Sequence, residues 1–173
     1  MKICFIGEFP LPEESPQLGP QNVLYNLVKG IVKTDSSISI DIITICNDIH
    51  APFFDERFSN VEVHYLPKLR FLTRSFGDPI VIRKFLKHKN FDVIHAHYPA
   101  VLRNILDFDT PKILTLHGIF HKEKQYVSNP LMRLFYHDYS THMLRRILPK
   151  IEAFVAISPY VIDVLVQMNL LEK

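Results

Sequence analysis

The sequence predicts a doubly wound α/β fold, a three-layer α/β/α arrangement around a mainly parallel sheet of about six or seven strands. Two observations carry that expectation. Three apolar runs, FDVIHAHYP at residues 91–99, KILTLHGIF at 112–120 and EAFVAISPY at 152–160, each end in a histidine or a serine where a strand should stop. Runs such as CFIG, ILTL and FVAI show no polar alternation, as expected for strands covered on both faces. Segments of helical length separate them, the pattern of parallel strands joined by crossovers. In an open parallel sheet the carboxyl ends of the strands share one rim, and ligands bind in the crevice outside it. His97, His117 and Ser158 are therefore expected to face one cleft.

The elements follow in order. Residues 2–7 read as the first strand, and a loop over 8–19 with three prolines leads into a helix over 20–33. Val23, Leu24, Leu27, Val28 and Ile31 give that helix an apolar stripe, and Pro20 suits its first turn, where a missing amide hydrogen costs nothing. Strands are expected at 39–46 and 61–66. A basic helix over 77–89 should open with Asp78 as cap and Pro79 in the first turn. The strand ending at His97 follows, then a shorter helix over 100–107 and the strand ending at His117. Residues 130–150 read as the longest helix and 154–158 as the last strand. Ser158-Pro159 should cap a final helix running to about 170. Six strands with crossovers match the Rossmann count.

The chain has 173 residues, 47% of them hydrophobic, within the range of one domain able to bury its own core. Formal net charge is +2, yet residues 1–60 hold four basic and eight acidic side chains while 61–90 hold seven basic and two acidic. That basic segment is a candidate contact surface. Cys4 and Cys46 both fall in expected core strands, so two buried free thiols and a reducing compartment are the simplest reading. The first apolar run is too brief for a signal peptide, and no stretch approaches the length of a membrane span. The expected location is the cytoplasm, with or without peripheral attachment to the inner membrane face.

A first strand followed by a loop with prolines and a glycine before a helix, then DVIHAHYP, LTLHG and FVAIS, resembles the amino-terminal domain of GT-B-fold retaining glycosyltransferases of the glycosyltransferase family four type. The resemblance covers nearly the whole chain and implies one half of a GT-B fold. Such enzymes pair two Rossmann-like domains, the first holding mainly the acceptor and the second the nucleotide-sugar donor. The resemblance thus implies that residues 1–173 form a single domain, the amino-terminal half of such an enzyme. The glutamate pair, spaced by seven residues, that grips the donor in the family's second domain does not occur here. The donor-binding domain is accordingly expected to lie outside this chain, and the chain alone to be inactive.

On this resemblance His117, ending KILTLHG, matches the family histidine facing the transferred sugar and is the candidate catalytic residue, donating a hydrogen bond to a hydroxyl or a developing charge. Gly118 would let backbone approach closely. His95 and His97, two apart on one strand, share a face, with His97 nearer the rim and lining the acceptor side while His95 is a core residue. A zinc site using His117 or His121 as third ligand lacks a cysteine or carboxylate to complete it, so no metal is expected. Gly19 matches one member of the family's Gly-Gly pair at the donor phosphates. The other is replaced by Leu18 or Pro20, and an ordinary turn is an equal reading. Gln21 and Asn22 are candidates to bond sugar hydroxyls, and Glu8 is a rim carboxylate that could orient an acceptor. Ser158 is read as a helix cap at the rim, its hydroxyl bonding backbone amides.

Lys68, Arg70, Arg74, Arg83, Lys84 and Lys87 interleave with Phe71, Phe76, Ile80, Ile82 and Phe85, a mixture suited to an anionic membrane surface or to a solvated basic helix. Nucleic acid is not an expected partner, because charge is nearly balanced and no binding motif appears.

The reading that follows is an acceptor-binding domain of a glycosyltransferase that moves a sugar from a nucleoside-diphosphate sugar to a sugar or lipid-linked hydroxyl acceptor with retention. The sugar nucleotide is a substrate and no cofactor is called for, since helix dipole and basic side chains handle the diphosphate. The alternatives are a non-catalytic subunit of a split glycosyltransferase and a sugar-nucleotide epimerase of the same build.

Overall fold

The computed structural model describes residues 1–17, 19–47, 49–69, 74–118 and 141–171. Among the described residues seven strands form one sheet: β1 (Lys2–Ile6), β2 (Ser39–Cys46), β3 (Phe53–Phe58), β4 (Val61–Pro67), β5 (Val93–Ala96), β6 (Lys112–Leu116) and β7 (Ala153–Ala156). Their order is β3-β4-β2-β1-β5-β6-β7. Every pairing is parallel except β3 with β4. The six parallel strands, taken in chain order, lie as 3-2-1-4-5-6, the doubly wound Rossmann arrangement, and strand order reverses between β1 and β5. The expected α/β class is what the chain adopts.

Two cores flank the sheet. On one face α1 (Gly19–Thr34) buries Leu24 and Val28 against Phe5, Ile40, Ile42, Val63 and Tyr65. On the other, α2 (Arg74–Leu86) contributes Ile82 and Leu86, a helical segment α3 over residues 141–147 contributes Leu144 and Ile147, and α4 (Pro159–Gln167) contributes Val161, Val164 and Leu165. Alternation along β1 and β2 sends Cys4, Ile6, Ile43 and Ile45 to this second core. The α1 stripe is narrower than expected, since Val23 points outward at 41% exposure.

Several local expectations need correction. The strand β3 was not foreseen: FFDERF has three consecutive charged residues, and it survives as a sheet edge, paired antiparallel through a Ser59-Asn60 turn with a bulge between Asp55 and Phe58. The helix expected to start at Gly77 begins at Arg74, so Asp78 and Pro79 lie inside it instead of capping it. Pro79 removes only the amide hydrogen that would have reached the carbonyl four residues earlier, within the first turns. The helix expected over 100–107 is a 3-10 segment, Pro99–Asn104, in which Pro99, Ala100, Val101 and Leu102 are all buried. Four successive buried residues cannot present a 3.6-residue stripe, so a tight connector forms instead. The final strand ends at Ala156, earlier than expected, and Val155 on it is 45% exposed, as befits an edge and not a strand covered on both faces. Of the helix expected over 130–150, residues 130–140 lie outside the described residues; 141–147 are helical and lead into a 3-10 turn, Leu148–Lys150.

The end of α4 has a clear cause. Asn169 adopts a left-handed conformation at φ 52°, Leu170 N–H bonds the Leu165 carbonyl at 2.9 Å and Asn169 N–H bonds that of Val166 at 3.0 Å. This is the Schellman pattern, which satisfies the last helical carbonyls and turns Leu170 onto the core. Neither cysteine is in a disulfide; Cys4 is buried and Cys46 half-buried. Among the described residues no helix is long and apolar enough to cross a membrane.

Candidate functional site

The strand-order reversal puts the ends of β1 and β5 side by side, and the residues just past them, Gly7 with Glu8 and His97, meet there. The His97 amide donates to the Ile6 carbonyl at 2.8 Å, so parallel pairing continues one residue beyond the strand. His117 arrives at the same rim from β6, which pairs with β5.

The two imidazoles touch. His97 Nδ1 lies 3.0 Å from His117 Nε2, with ring centroids 5.1 Å apart and planes 29° from parallel. His95, one pleat below on the same face, lies with its ring centroid 4.9 Å from that of His97 and the planes tilted by 34°, and its Nε2 lies 2.7 Å from the Thr115 hydroxyl. The Phe5 ring backs both, at 5.2 Å from His95 and 6.1 Å from His97. The expectation that His95 and His97 share a face therefore holds, although His95 is half-buried and is bonded to a hydroxyl rather than packed as an inert core ring.

Burial controls the protonation of this row. It lowers His97 to about 3, helped by the neighbouring His95 and His117. It lowers His95 to about 4, helped by His117. His117 is lowered too, again by burial, against an opposing pull from the Glu8 carboxylate. At neutral pH the row is three uncharged imidazoles, able to donate or accept hydrogen bonds without bringing positive charge to the rim.

Gly7 shapes the site by what it lacks. A Cβ there would lie 2.9 Å from Leu24 Cδ2 and 3.0 Å from His97 Cβ, so glycine lets α1 and His97 close on the end of β1. Gly7, Thr115 and Phe5 were not singled out from the sequence. The available signal was the i, i+2 pairing of Thr115 with His117, which repeats that of His95 with His97 on the neighbouring strand.

The other candidate residues divide by location. Glu8 stands beside the histidines and acts electrostatically on His117. Gly19 opens α1, and a Cβ there would meet nothing within 4 Å, so no steric demand for glycine arises from the described residues. In the first turns of α1, Gln21 accepts from the Gln17 amide at 3.1 Å and Asn22 is exposed. Leu24, one turn further on, reaches Gly7 and ties this end of the helix to the rim. Gly118 follows His117 and is half-buried. Ser158 is on the same rim, past β7, at the N-cap position of α4 with extended backbone, but its hydroxyl makes no capping bond. The cap is instead positional: Pro159 in the first turn has no amide hydrogen to satisfy, and the Ser158 carbonyl accepts from Val161 at 3.1 Å.

The basic segment divides as well. Arg83 forms a two-pronged pair with Asp107 at 2.6 and 2.8 Å and stands 5.1 Å over the Phe108 ring, so it ties α2 to the segment following the 3-10 turn. Lys84 and Lys87 are exposed, Lys68 is half-buried, Arg70 lies outside the described residues, and Arg74 begins α2.

At the opposite end of the strands a second polar cluster is buried. Asp41, 1% exposed, accepts from Lys89 Nζ at 3.1 Å, lies 3.3 Å from His64 Nε2 and pairs with Lys2 Nζ at 3.2 Å. With Glu62, Asp41 and His64 bring ligand-type atoms together. Two lysine ammonium groups already lie against the Asp41 carboxylate, so the cluster carries its own cations and reads as a structural clamp.

Comparison with known proteins agrees with this fold. Residues 19–172 match the family model for Glycosyltransferase Family 4. Among solved structures the chain is similar to a sucrose-phosphate synthase from Thermosynechococcus elongatus, with a TM-score of 0.72 and 15% identity over 96% of this chain and 44% of that one. A second sucrose-phosphate synthase structure from the same organism gives a TM-score of 0.61 at 11% identity, covering 95% of this chain and 81% of that one. At such identities the likeness concerns the fold, and the chain spans less than half the length of the first neighbour. No curated protein matches the sequence. The family match extends over most of the chain, and the assignment follows from it: this chain belongs to glycosyltransferase family 4 and is a glycosyltransferase domain.

Proposed function

We propose that this chain is the acceptor-side, amino-terminal domain of a two-domain glycosyltransferase that moves a sugar from a nucleoside-diphosphate sugar to a hydroxyl acceptor, retaining anomeric configuration. The observation that carries the reading is the hydrogen-bonded His97–His117 pair at the strand-order reversal of a family 4 domain. In this reading the neutral His117 ring donates a hydrogen bond to the transferred sugar, where a fixed donor in a partly water-excluded site is worth most in the transition state. Glu8, Gln21 and Asn22 orient hydroxyls of the acceptor or sugar. Gly19 leaves open space at the amino terminus of α1, where backbone amides and the helix dipole favour an anionic diphosphate. The sugar nucleotide is itself the substrate, so the chemistry calls for no resident cofactor.

The test is titration calorimetry with a panel of nucleotide sugars, run on the 173-residue chain and on the chain extended by any coding sequence that follows it. Binding by the extended protein alone supports the division of labour; tight binding by the chain alone overturns it. Replacing His117 with alanine in the active protein should lower kcat/KM by about 10²-fold or more, the usual cost of one fixed donor. Unchanged kcat/KM would remove His117 from the mechanism.

An anionic membrane surface is the partner proposed for α2. Phe76, Ile80, Lys84 and Lys87 fall within one 80° arc at about 100° per residue, and all four are exposed, Ile80 at 47%. Apolar residues flanked by lysines on one helical face suit a lipid interface, which agrees with a lipid-linked acceptor and a peripheral cytoplasmic location. Sedimentation with anionic vesicles should be salt-sensitive and reduced by Lys84→Glu with Lys87→Glu. Equal recovery with neutral vesicles argues against the idea.

A further inference from the structure

His97 has two ring nitrogens with different fates. Nδ1 meets His117 Nε2 at 3.0 Å, whereas Nε2 is buried and meets no hydrogen-bond partner among the described residues. A neutral imidazole carries one N–H and one lone pair, so only two proton arrangements preserve the bond between the rings. If His117 Nε2–H donates, the hydrogen of His97 sits on its Nε2 as a buried donor with nothing to receive it. If His97 Nδ1–H donates, its Nε2 is left as a bare lone pair, and His117 carries its own hydrogen on Nδ1.

The second arrangement is the better one. A stranded buried N–H is a rarer defect in folded proteins than an under-satisfied acceptor, and only the second arrangement avoids it. The His97 ring has little freedom to evade the choice. Its amide is tied to Ile6, its Cβ lies 3.0 Å from where a Cβ on Gly7 would stand, and His95 and Phe5 flank it.

We propose that His97 is a positioning residue that holds His117 in its Nδ1–H tautomer, so that the half-buried ring presents a hydrogen-bond donor, not a lone pair, to a ligand at the rim. His117 then cannot serve as the base that takes a proton from an acceptor hydroxyl; it can only donate to an oxygen carrying lone pairs or gathering negative charge. The meaning for sugar transfer rests on the function proposed above, whereas the proton position does not.

The test is a long-range proton–nitrogen correlation spectrum of the uniformly 15N-labelled, unliganded chain at pH 7.5. His117 Nε2 should resonate as an unprotonated nitrogen and Nδ1 as a protonated one. His97→Asn places an amide donor near the Nδ1 position and should keep that pattern. His97→Phe removes the donor and should lower the ratio of Nδ1–H to Nε2–H forms of His117 by about fivefold to tenfold, the worth of an ordinary hydrogen bond. A protonated His117 Nε2 in the wild type overturns the proposal, as does an unchanged tautomer ratio in folded His97→Phe. If His97→Phe fails to fold, the wild-type and His97→Asn spectra still decide. Because no ligand is present, a negative result here leaves sugar transfer standing, and a failed transfer assay leaves the tautomer assignment standing.

Discussion

Lowering the pH from 7.5 to 5 should cost this domain about 4 kcal/mol through His95 and His97 alone. In the unfolded chain both titrate near the ordinary histidine value of about 6.5. In the folded chain burial, reinforced by neighbouring imidazoles, brings His97 to about 3 and His95 to about 4. At pH 7.5 neither state binds a proton at these rings, so pH has no leverage. At pH 5 the unfolded chain binds a proton at each and the folded chain at neither, so stability is lost as pH falls below about 6.5. Over those ~1.5 units each ring contributes about 2 kcal/mol. For a domain of this size the midpoint of thermal unfolding should drop by roughly 8–16 °C. Urea unfolding at pH 7.5, 6.5, 5.5 and 5.0 measures the slope directly. His97→Phe, which cannot titrate, should lose about half of it. A stability unchanged between pH 7.5 and 5, or a folded His97→Phe with the full wild-type slope, would refute the claim that these rings are buried neutral.

Three further outcomes are expected. Burial alone would raise the Asp41 carboxyl, but hydrogen bonds from His64, Lys89 and Lys2 outweigh it and hold it at about 2, so Asp41→Asn should cost ~2.5 kcal/mol at pH 7. The difference from wild type should shrink to about half at pH 3 and nearly vanish at pH 2; a difference independent of pH would show that lost packing, not charge, was measured. Gly7→Ala should destabilise by about 1–3 kcal/mol in urea unfolding, because the added methyl meets His97 Cβ at 3.0 Å and Leu24 at 2.9 Å. Wild-type stability for that variant would mean that α1 yields freely. Ser158→Ala should change stability by less than ~0.5 kcal/mol, below the usual ~1 kcal/mol of a capping residue, since its hydroxyl makes no capping bond; a loss of ~1 kcal/mol in the same assay would contradict that.

The elements that were legible in the sequence are those whose signal is local. Largely apolar runs such as CFIG in β1 and ILTL in β6 were legible, because a strand buried on both faces needs no polar alternation. The rim followed from the same runs, since a polar residue at the end of a buried strand has nowhere to go but the crevice. His97 and His117 were therefore found together, at the ends of neighbouring strands though 20 residues apart in sequence. The strand β3 was missed for the converse reason: an edge strand is free to carry Asp55 and Glu56, and its pairing with β4 supplies the order that its own composition does not. Asp78 and Pro79 resembled a helix start because cap chemistry is read from residue type, whereas the helix begins one turn upstream, at Arg74.

What remained hidden was contact between residues distant in sequence. Nothing in the residues around Gly7 announces that His97 will lie 3.0 Å from a Cβ there, nor does TLH reveal that Thr115 will meet His95 on the next strand. Along the chain Asp41 is a single charge within β2, and only the sheet brings Lys2, Lys89 and His64 around it. Periodicity and residue type act along the chain, so they were enough for the fold class, the parallel rim and the histidines on it. Hydrogen-bond partners, depressed pKa values and the choice of which imidazole nitrogen carries the proton depend on distances of about 3 Å between strands. Those distances exist only once β1, β5 and β6 lie side by side.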